Sequence, residues 1–296
     1  MTQPAPDGAA HGPATAWPAI ALATRRVRPR VPLLIDGLTV GSVARTDLDK
    51  LRPFGHALQV KDDRVTLCVP TAARDDALAA INDTLHAQGL IRGWRNETYP
   101  LVDPHSQRLL ACIERASSRF WGTLTFGAHC TGWVAGQAGQ VDQVWVAQRA
   151  FDKATDPGAF DNLVGGGVPH GQTPFETLVR EGWEEAGLTP EVMRRARPGR
   201  VIQLQRDVPE GLQFEWIHTF DLLLQAAEMP VNQDGEVHAF TRHPVADALA
   251  LAAGTDMTVD AALVTLDFAL RHGLFAAAGQ TSLAARAQAL WAPAPT

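Results

Sequence analysis

Apolar residues in this chain recur at two spacings, every second position in some stretches and every third or fourth in others, with turn residues between. Residues 31–43, VPLLIDGLTVGSV, predict two short strands around a glycine turn. Thr46, with Asp49 three residues on, predicts the capped start of a short helix. Residues 59–69 alternate and predict a strand pair broken at KDDR. Residues 71–88 predict an amphipathic helix with Ala77, Leu78, Ile81 and Leu85 on one face and Gly89 as its stop. Further on, GAHCTGWVA and VDQVWVAQ predict a hairpin. Residues 162–164 predict a short strand, 174–186 a helix, 201–206 and 212–224 strands, and 260–271 a closing helix.

Strands and helices interleave, so the fold class is α+β. The expected organisation is a mobile tail over 1–30, a small α+β domain over 31–116, a second domain over 117–275, and a C-terminal tail over 276–296 with a helical turn and a loose end. A length of 296 residues can supply two cores. The apolar share is 46% and the charged share 20%, which reads as globular. The net charge of -6 argues against a nucleic-acid partner and leaves room for a small phosphate pocket. No apolar run reaches membrane-spanning length, so no membrane partner is expected. The arginines of the N-terminal segment follow its apolar patch, the reverse of a secretory signal. Cys68, Cys112 and Cys130 are odd in number and widely spaced, and are expected as buried free thiols in a reducing cytoplasm.

The stretch with chemical content is GGGVPHGQTPFETLVREGWEEAGL, residues 165–188. Thr173, Pro174 and Glu176 make a capping box with proline at the first helical position, and Gly187 ends the helix. Phe175, Leu178, Val179 and Ala186 form its buried side. Glu181, Glu184 and Glu185 share another face, with Cβ atoms about 5–6 Å apart. They repel one another and sit toward the end of the helix dipole that disfavours anions. Local stability does not account for them. Hard divalent cations do, because Mg²⁺ and Mn²⁺ favour carboxylate oxygens. The glycine turn lets backbone approach a ligand or metal, and Arg180 can orient a carboxylate or meet a phosphate. The ensemble suits metal-assisted attack of water on a phosphoanhydride.

These residues resemble the Nudix box, G-x5-E-x7-R-E-U-x-E-E-x-G-U, where U is bulky and apolar. Gly166, Arg180, Glu181, Glu184, Glu185, Gly187 and Leu188 fall on it, while Gln172 and Gly182 depart from it. The resemblance implies a Nudix α/β/α sandwich with a mixed sheet. It implies Mg²⁺ or Mn²⁺ on Glu184, Glu185, Glu181 and the Gly165 carbonyl, with Arg180 orienting a glutamate. Gln172 makes the metal shell leaner. Nudix enzymes commonly recruit one more acid, for which Glu236 in the DGEV turn is the candidate. FDNLVGGGVPHG, DGEV and LDFALRHG are similar to a Nudix subfamily with an extra N-terminal domain, related to the Nudix half of fungal thiamine pyrophosphokinases. That likeness implies hydrolysis of a small-molecule diphosphate, thiamine diphosphate in its oxo or oxy form, to the monophosphate. The wider group is linked to 8-oxo-dGDP, and a ligand sensor without turnover is the rival class. The assembly is left open, a homodimer included.

Substrate contacts are expected from elsewhere. Phe214, Trp216, His218 and Phe220 alternate along one strand, so they share a face that can stack a ring or pack a core. Lys153, Arg149 and Arg206 are candidate phosphate contacts, and His170 lies inside the glycine turn.

Overall fold

The computed structural model describes residues 17–153 and 155–292. In chain order the elements are α1 (Pro18–Leu22), β1 (Arg30–Ile35), β2 (Leu38–Ala44), α2 (Leu48–Leu51), β3 (Leu58–Lys61), β4 (Arg64–Leu67), α3 (Arg74–Ala87), β5 (Thr98–Val102), β6 (Leu109–Glu114) and α4 (Ser117–Trp121). Then come β7 (Leu124–Ala135), β8 (Val141–Arg149), β9 (Phe160–Asp161), β10 (Val164–Gly167), α5 (Pro174–Ala186), α6 (Pro190–Met193), β11 (Arg197–Val208), β12 (Gly211–Leu223), β13 (Val237–Pro244), α7 (Val245–Ala252), α8 (Val259–Arg271) and α9 (Ala277–Ala287).

The first unit is a four-stranded sheet ordered β2-β1-β4-β3, in which only β1 and β4 run parallel, with the β5–β6 hairpin beside it. Leu78, Ile81 and Leu85 of α3 enter its core with Trp121, whose Nε1 donates to Oδ1 of buried Asn82. The second unit is a mixed sheet ordered β11-β12-β7-β8-β13, with β10 added to β7 and β9 to β8. β7 and β12 are parallel over ten residue pairs, from Leu124 opposite Phe214 to Trp133 opposite Leu223. Strand alternation feeds two cores. Val144, Val146 and Ile217 point to α7 and α8, while Ala128, Cys130 and Trp145 point to α5. The result is a sheet between helix layers, as expected.

Several local expectations need correction. The segment expected as a mobile tail is packed from Trp17 onward. Trp17 is fully buried against Phe275, and the carbonyls of Ala23 and Arg25 accept from the backbone of Gln205 and Asp207, extending the edge at β11. Residues 1–16 lie outside the described residues. The C-terminal segment is not a single turn either. α9 spans three turns and buries Leu283 and Ala287, because its apolar residues recur at helical spacing; the expected loose end, 293–296, lies outside the described residues. Thr46 does not cap α2: it sits inside a 3₁₀ turn, Arg45–Asp47, and no side chain caps the helix. The helix expected over 71–88 begins with a 3₁₀ turn and becomes α-helical at Arg74. Cys68 is exposed and Cys112 partly so; only Cys130 is buried, and all three are free thiols.

Candidate functional site

β10 places three glycines in register against β7, with Gly165 opposite His129 and Gly166 opposite Ala128. This close pairing brings α5 across the strand. A Cβ on Gly166 would stand 2.5 Å from the Glu181 carboxyl, so only glycine leaves that acid its place. α5 starts with the full capping box: Thr173 Oγ1 accepts from Glu176 N at 3.2 Å, and Glu176 Oε2 accepts from Thr173 N at 2.8 Å. Gly187 closes it at φ 61°.

The acids on α5 are not equivalent. Glu185 is buried, at 9% exposure, and accepts one hydrogen bond, from Gly165 N at 3.1 Å. Burial, reinforced by nearby Glu181, pushes its carboxyl well above the usual range, against the pull of that N–H. Glu181 is raised by burial and by Glu184, with Arg180 opposing. Glu184 is the most exposed of the three, its side chain 42% accessible. Arg180 sits between them, donating from Nη2 to Glu181 at 2.8 Å and from Nη1 to Glu184 at 2.6 Å. Its Nε donates to Gln172 Oε1 at 3.3 Å. Gln172 is thus tied to Arg180 and, through Thr177 Oγ1 at 3.0 Å, to the helix itself.

Among the described residues no trio of His, Cys, Asp or Glu is drawn together as a metal centre. The donor set nevertheless fits a hard divalent cation. Glu185 is buried and Glu181 largely so, their charge is disfavoured, and they lie beside glycine backbone, where a divalent cation would offset that cost.

The acidic face opens into a cleft of about 980 Å³ between the two units. Glu236 stands at its rim before β13, ion-paired with Lys153 and 3.4 Å from Arg95. Burial works to raise its carboxyl, but those two cations prevail and hold it below the usual range. Arg149 lines the cleft while bonded to Asp161 at 2.9 Å, and Arg206 donates from Nε to Gln213 at 2.8 Å. Phe214 lines the cleft as well.

Three residues expected at the substrate are elsewhere. Trp216 is buried with Val102, Leu124 and Phe126, its Nε1 donating to Gln203 at 3.0 Å. His218 is half-buried beside Phe126, and burial lowers its pKa. His170 is exposed, with its backbone N bonded to Thr98 O. The shared strand face thus packs the sheet, and only at its end, at Phe214, does it reach the cleft.

The opposite face of β12 carries what the aromatic pattern concealed. Glu215 reaches the cleft, and Gln213 Nε2 donates both to it, at 2.9 Å, and to Asp260 at 3.0 Å. Burial and Asp260 raise the Glu215 carboxyl. Glu215, an acid between Phe214 and Trp216, was the available signal. His129, 3.2 Å from Asn162 Oδ1, and Tyr99 and Arg115 of the first unit also line the cleft. Nothing in their local sequence separates them from ordinary strand and turn residues.

A family profile described as the NUDIX domain matches residues 131–262, and a domain of unknown function, DUF4743, matches 20–125. Two curated Arabidopsis thaliana proteins are similar over 82% of this chain and 68% of their own length. They are Nudix hydrolase 20, chloroplastic, 31% identical over 257 residues, and Nudix hydrolase 24, chloroplastic, 32% identical over 250. Among solved structures, DR0079 from Deinococcus radiodurans aligns over 58% of this chain and 99% of its own, at 22% identity and a TM-score of 0.45.

Proposed function

The chain belongs to the Nudix hydrolase family, and we propose that its substrate is a damaged thiamine diphosphate, the oxo or oxy form, cleaved to the monophosphate and phosphate. A Nudix hydrolase acts on a pyrophosphate-containing small molecule, generally with divalent metal ions. The observation that carries the site assignment is the pair of Glu181 and buried Glu185 beside the glycine strand, lining a cleft that arginines also line.

In this reading Glu184, Glu185 and Glu181, with the Gly165 carbonyl, hold Mg²⁺ or Mn²⁺. Such ions, when bound, neutralise the diphosphate and make the phosphorus and the attacking water more reactive. Arg180 fixes the directions of Glu181 and Glu184. Glu181, whose carboxyl is raised, is suited to take the proton that the attacking water gives up. Glu236 is already matched by two cations and is the weaker metal ligand; Lys153 beside it is placed to exchange that partner for a phosphate oxygen.

The heterocycle reading draws on the linked acids Glu215 and Asp260. Carboxylate oxygens at the cleft can accept from ring N–H donors, the pyrimidine amino group in the oxo form and the lactam N–H that replaces it in the oxy form. Phe214 offers a ring face nearby. The subfamily likeness of FDNLVGGGVPHG and LDFALRHG supports the same choice. The N–H edge of 8-oxoguanine suits the same acids, so 8-oxo-dGDP is the competing substrate. Product analysis by phosphorus NMR tests this, using oxo-thiamine diphosphate, thiamine diphosphate, 8-oxo-dGDP and ADP-ribose with Mg²⁺ or Mn²⁺. The expected result is a kcat/KM for oxo-thiamine diphosphate about tenfold or more above the rest, which corresponds to one well-placed hydrogen-bonded group. Preference for 8-oxo-dGDP rejects the thiamine assignment and keeps the chemistry.

A further inference from the structure

The first unit lines the cleft with arginines, and one of them, Arg115, is held in an unusual way. The β5–β6 hairpin lies along the glycine strand: Thr98 O accepts from His170 N at 2.8 Å, and the Tyr99 hydroxyl fills the space that a Cβ on Gly167 would need. Arg115 follows the hairpin. Its Nη1 donates to Glu97 at 2.8 Å, and its Cζ lies 5.5 Å from the Tyr99 ring centre. The guanidinium is therefore fixed from behind by a carboxylate and an aromatic face. Among the described residues, its Nε and Nη2 have no hydrogen-bond partner, and Nη2 lies 3.4 Å from the ideal Cβ position at Gly167. Arg115 lines the cleft, close enough for its charge to act on Glu181 and on Glu215.

A structural ion pair between Arg115 and Glu97 explains one end of this side chain. It leaves two donors in a fork without a partner among the described residues, on a side chain that lines the cleft with the residues assigned to phosphoanhydride chemistry. A fixed fork of N–H donors matches the oxygens of a diphosphate. We propose that Arg115, from the unit of unknown function, binds the diphosphate of the substrate, so that this unit completes the catalytic cleft. This rests on the diphosphate-hydrolase reading of the site. Arg95, from the same unit, stands at the opposite rim against Glu236 and takes no part in the proposal.

The test uses the full chain and methylenediphosphonate, a diphosphate that cannot be hydrolysed, with Mg²⁺ present. Calorimetry reads its affinity for the wild type, Arg115→Met, Arg115→Lys and Glu97→Gln. Arg115→Met is expected to weaken binding about 10- to 100-fold, the usual worth of a hydrogen bond to a charged group, while Mn²⁺ affinity without diphosphonate does not fall, because the change removes a nearby positive charge. Arg115→Lys restores charge without the fork and recovers part of the loss, which a folding defect would not do. Glu97→Gln, which loosens the rear support, has a smaller effect. Wild-type affinity in Arg115→Met overturns the inference and leaves the site reading intact. A wild type that binds no diphosphonate and turns over no diphosphate overturns both.

Discussion

Gln172 Oε1 accepts a hydrogen bond from Arg180 Nε at 3.3 Å, and Arg180 in turn bonds both Glu181 and Glu184. Gln172, one of the two departures from the family pattern, therefore works through the arginine. Replacing it removes a support for Arg180 and no charge. Gln172→Ala is expected to lower kcat about 3- to 10-fold, the worth of roughly one ordinary hydrogen bond, with Mn²⁺ affinity unchanged. Gln172→Glu is expected to retain full turnover. Steady-state kinetics across a Mn²⁺ titration separates this from a metal contact, which would shift the metal requirement in both variants.

Gly166 owes its identity to Glu181. An alanine Cβ there would meet the Glu181 carboxyl at 2.5 Å, and the flexible acid can yield by swinging away. Stability should barely change, while activity drops on the order of 100-fold, as small misplacements of reacting groups do. A melting curve and a kcat measurement on Gly166→Ala check both halves.

Gly182 stands where the family pattern has a bulky apolar residue, and Met193 of α6 explains it. A Cβ on Gly182 would lie 2.5 Å from Met193 Sδ. Gly182→Leu is expected to cost about 1–3 kcal/mol by overpacking. Thermal unfolding of the double variant with Met193→Ala should recover much of that loss, because the two side chains compete for one space.

Glu185 gives the pH dependence its sign. Its carboxyl is raised in the folded protein by burial and by Glu181. Its contribution to stability is therefore full below the ordinary carboxylate pKa of about 4.3 and is lost as pH rises through its own higher value. In EDTA, Glu185→Gln should melt a few degrees above wild type at pH 8, reflecting about 1–3 kcal/mol for a poorly satisfied buried acid. The difference should vanish near pH 4.5. A constant difference across that range contradicts the burial argument.

The capped helix and its three acids could be read from local spacing, because capping acts within a few residues; the three glycines, expected as a turn, are instead part of strand β10, paired with β7. The mixed sheet between helices was legible for the same reason, through strand alternation. What local pattern could not supply was which face of β12 met the cleft. Phe214, Trp216 and His218 advertise a ring-binding face, yet Trp216 fills a gap beside Val102 and Leu124, and Glu215 is the residue that reaches the cleft. Nor could it reveal Arg115, which is more than sixty positions before Arg180 and lines the same cleft only in the folded chain. Trp17 was missed because its partner, Phe275, is equally remote; α9 had a local signal, the helical spacing of Leu283 and Ala287, in a segment read as a tail.

The most direct test of the central claim is phosphate release from a diphosphate substrate by wild type and Glu185→Gln, each titrated with Mg²⁺ and Mn²⁺. The account predicts turnover in the wild type that disappears in EDTA, and a loss of about 10³-fold or more in a folded Glu185→Gln that excess metal does not restore, in keeping with the several kcal/mol a metal supplies. Wild-type turnover in Glu185→Gln, or turnover undiminished by EDTA, would contradict it.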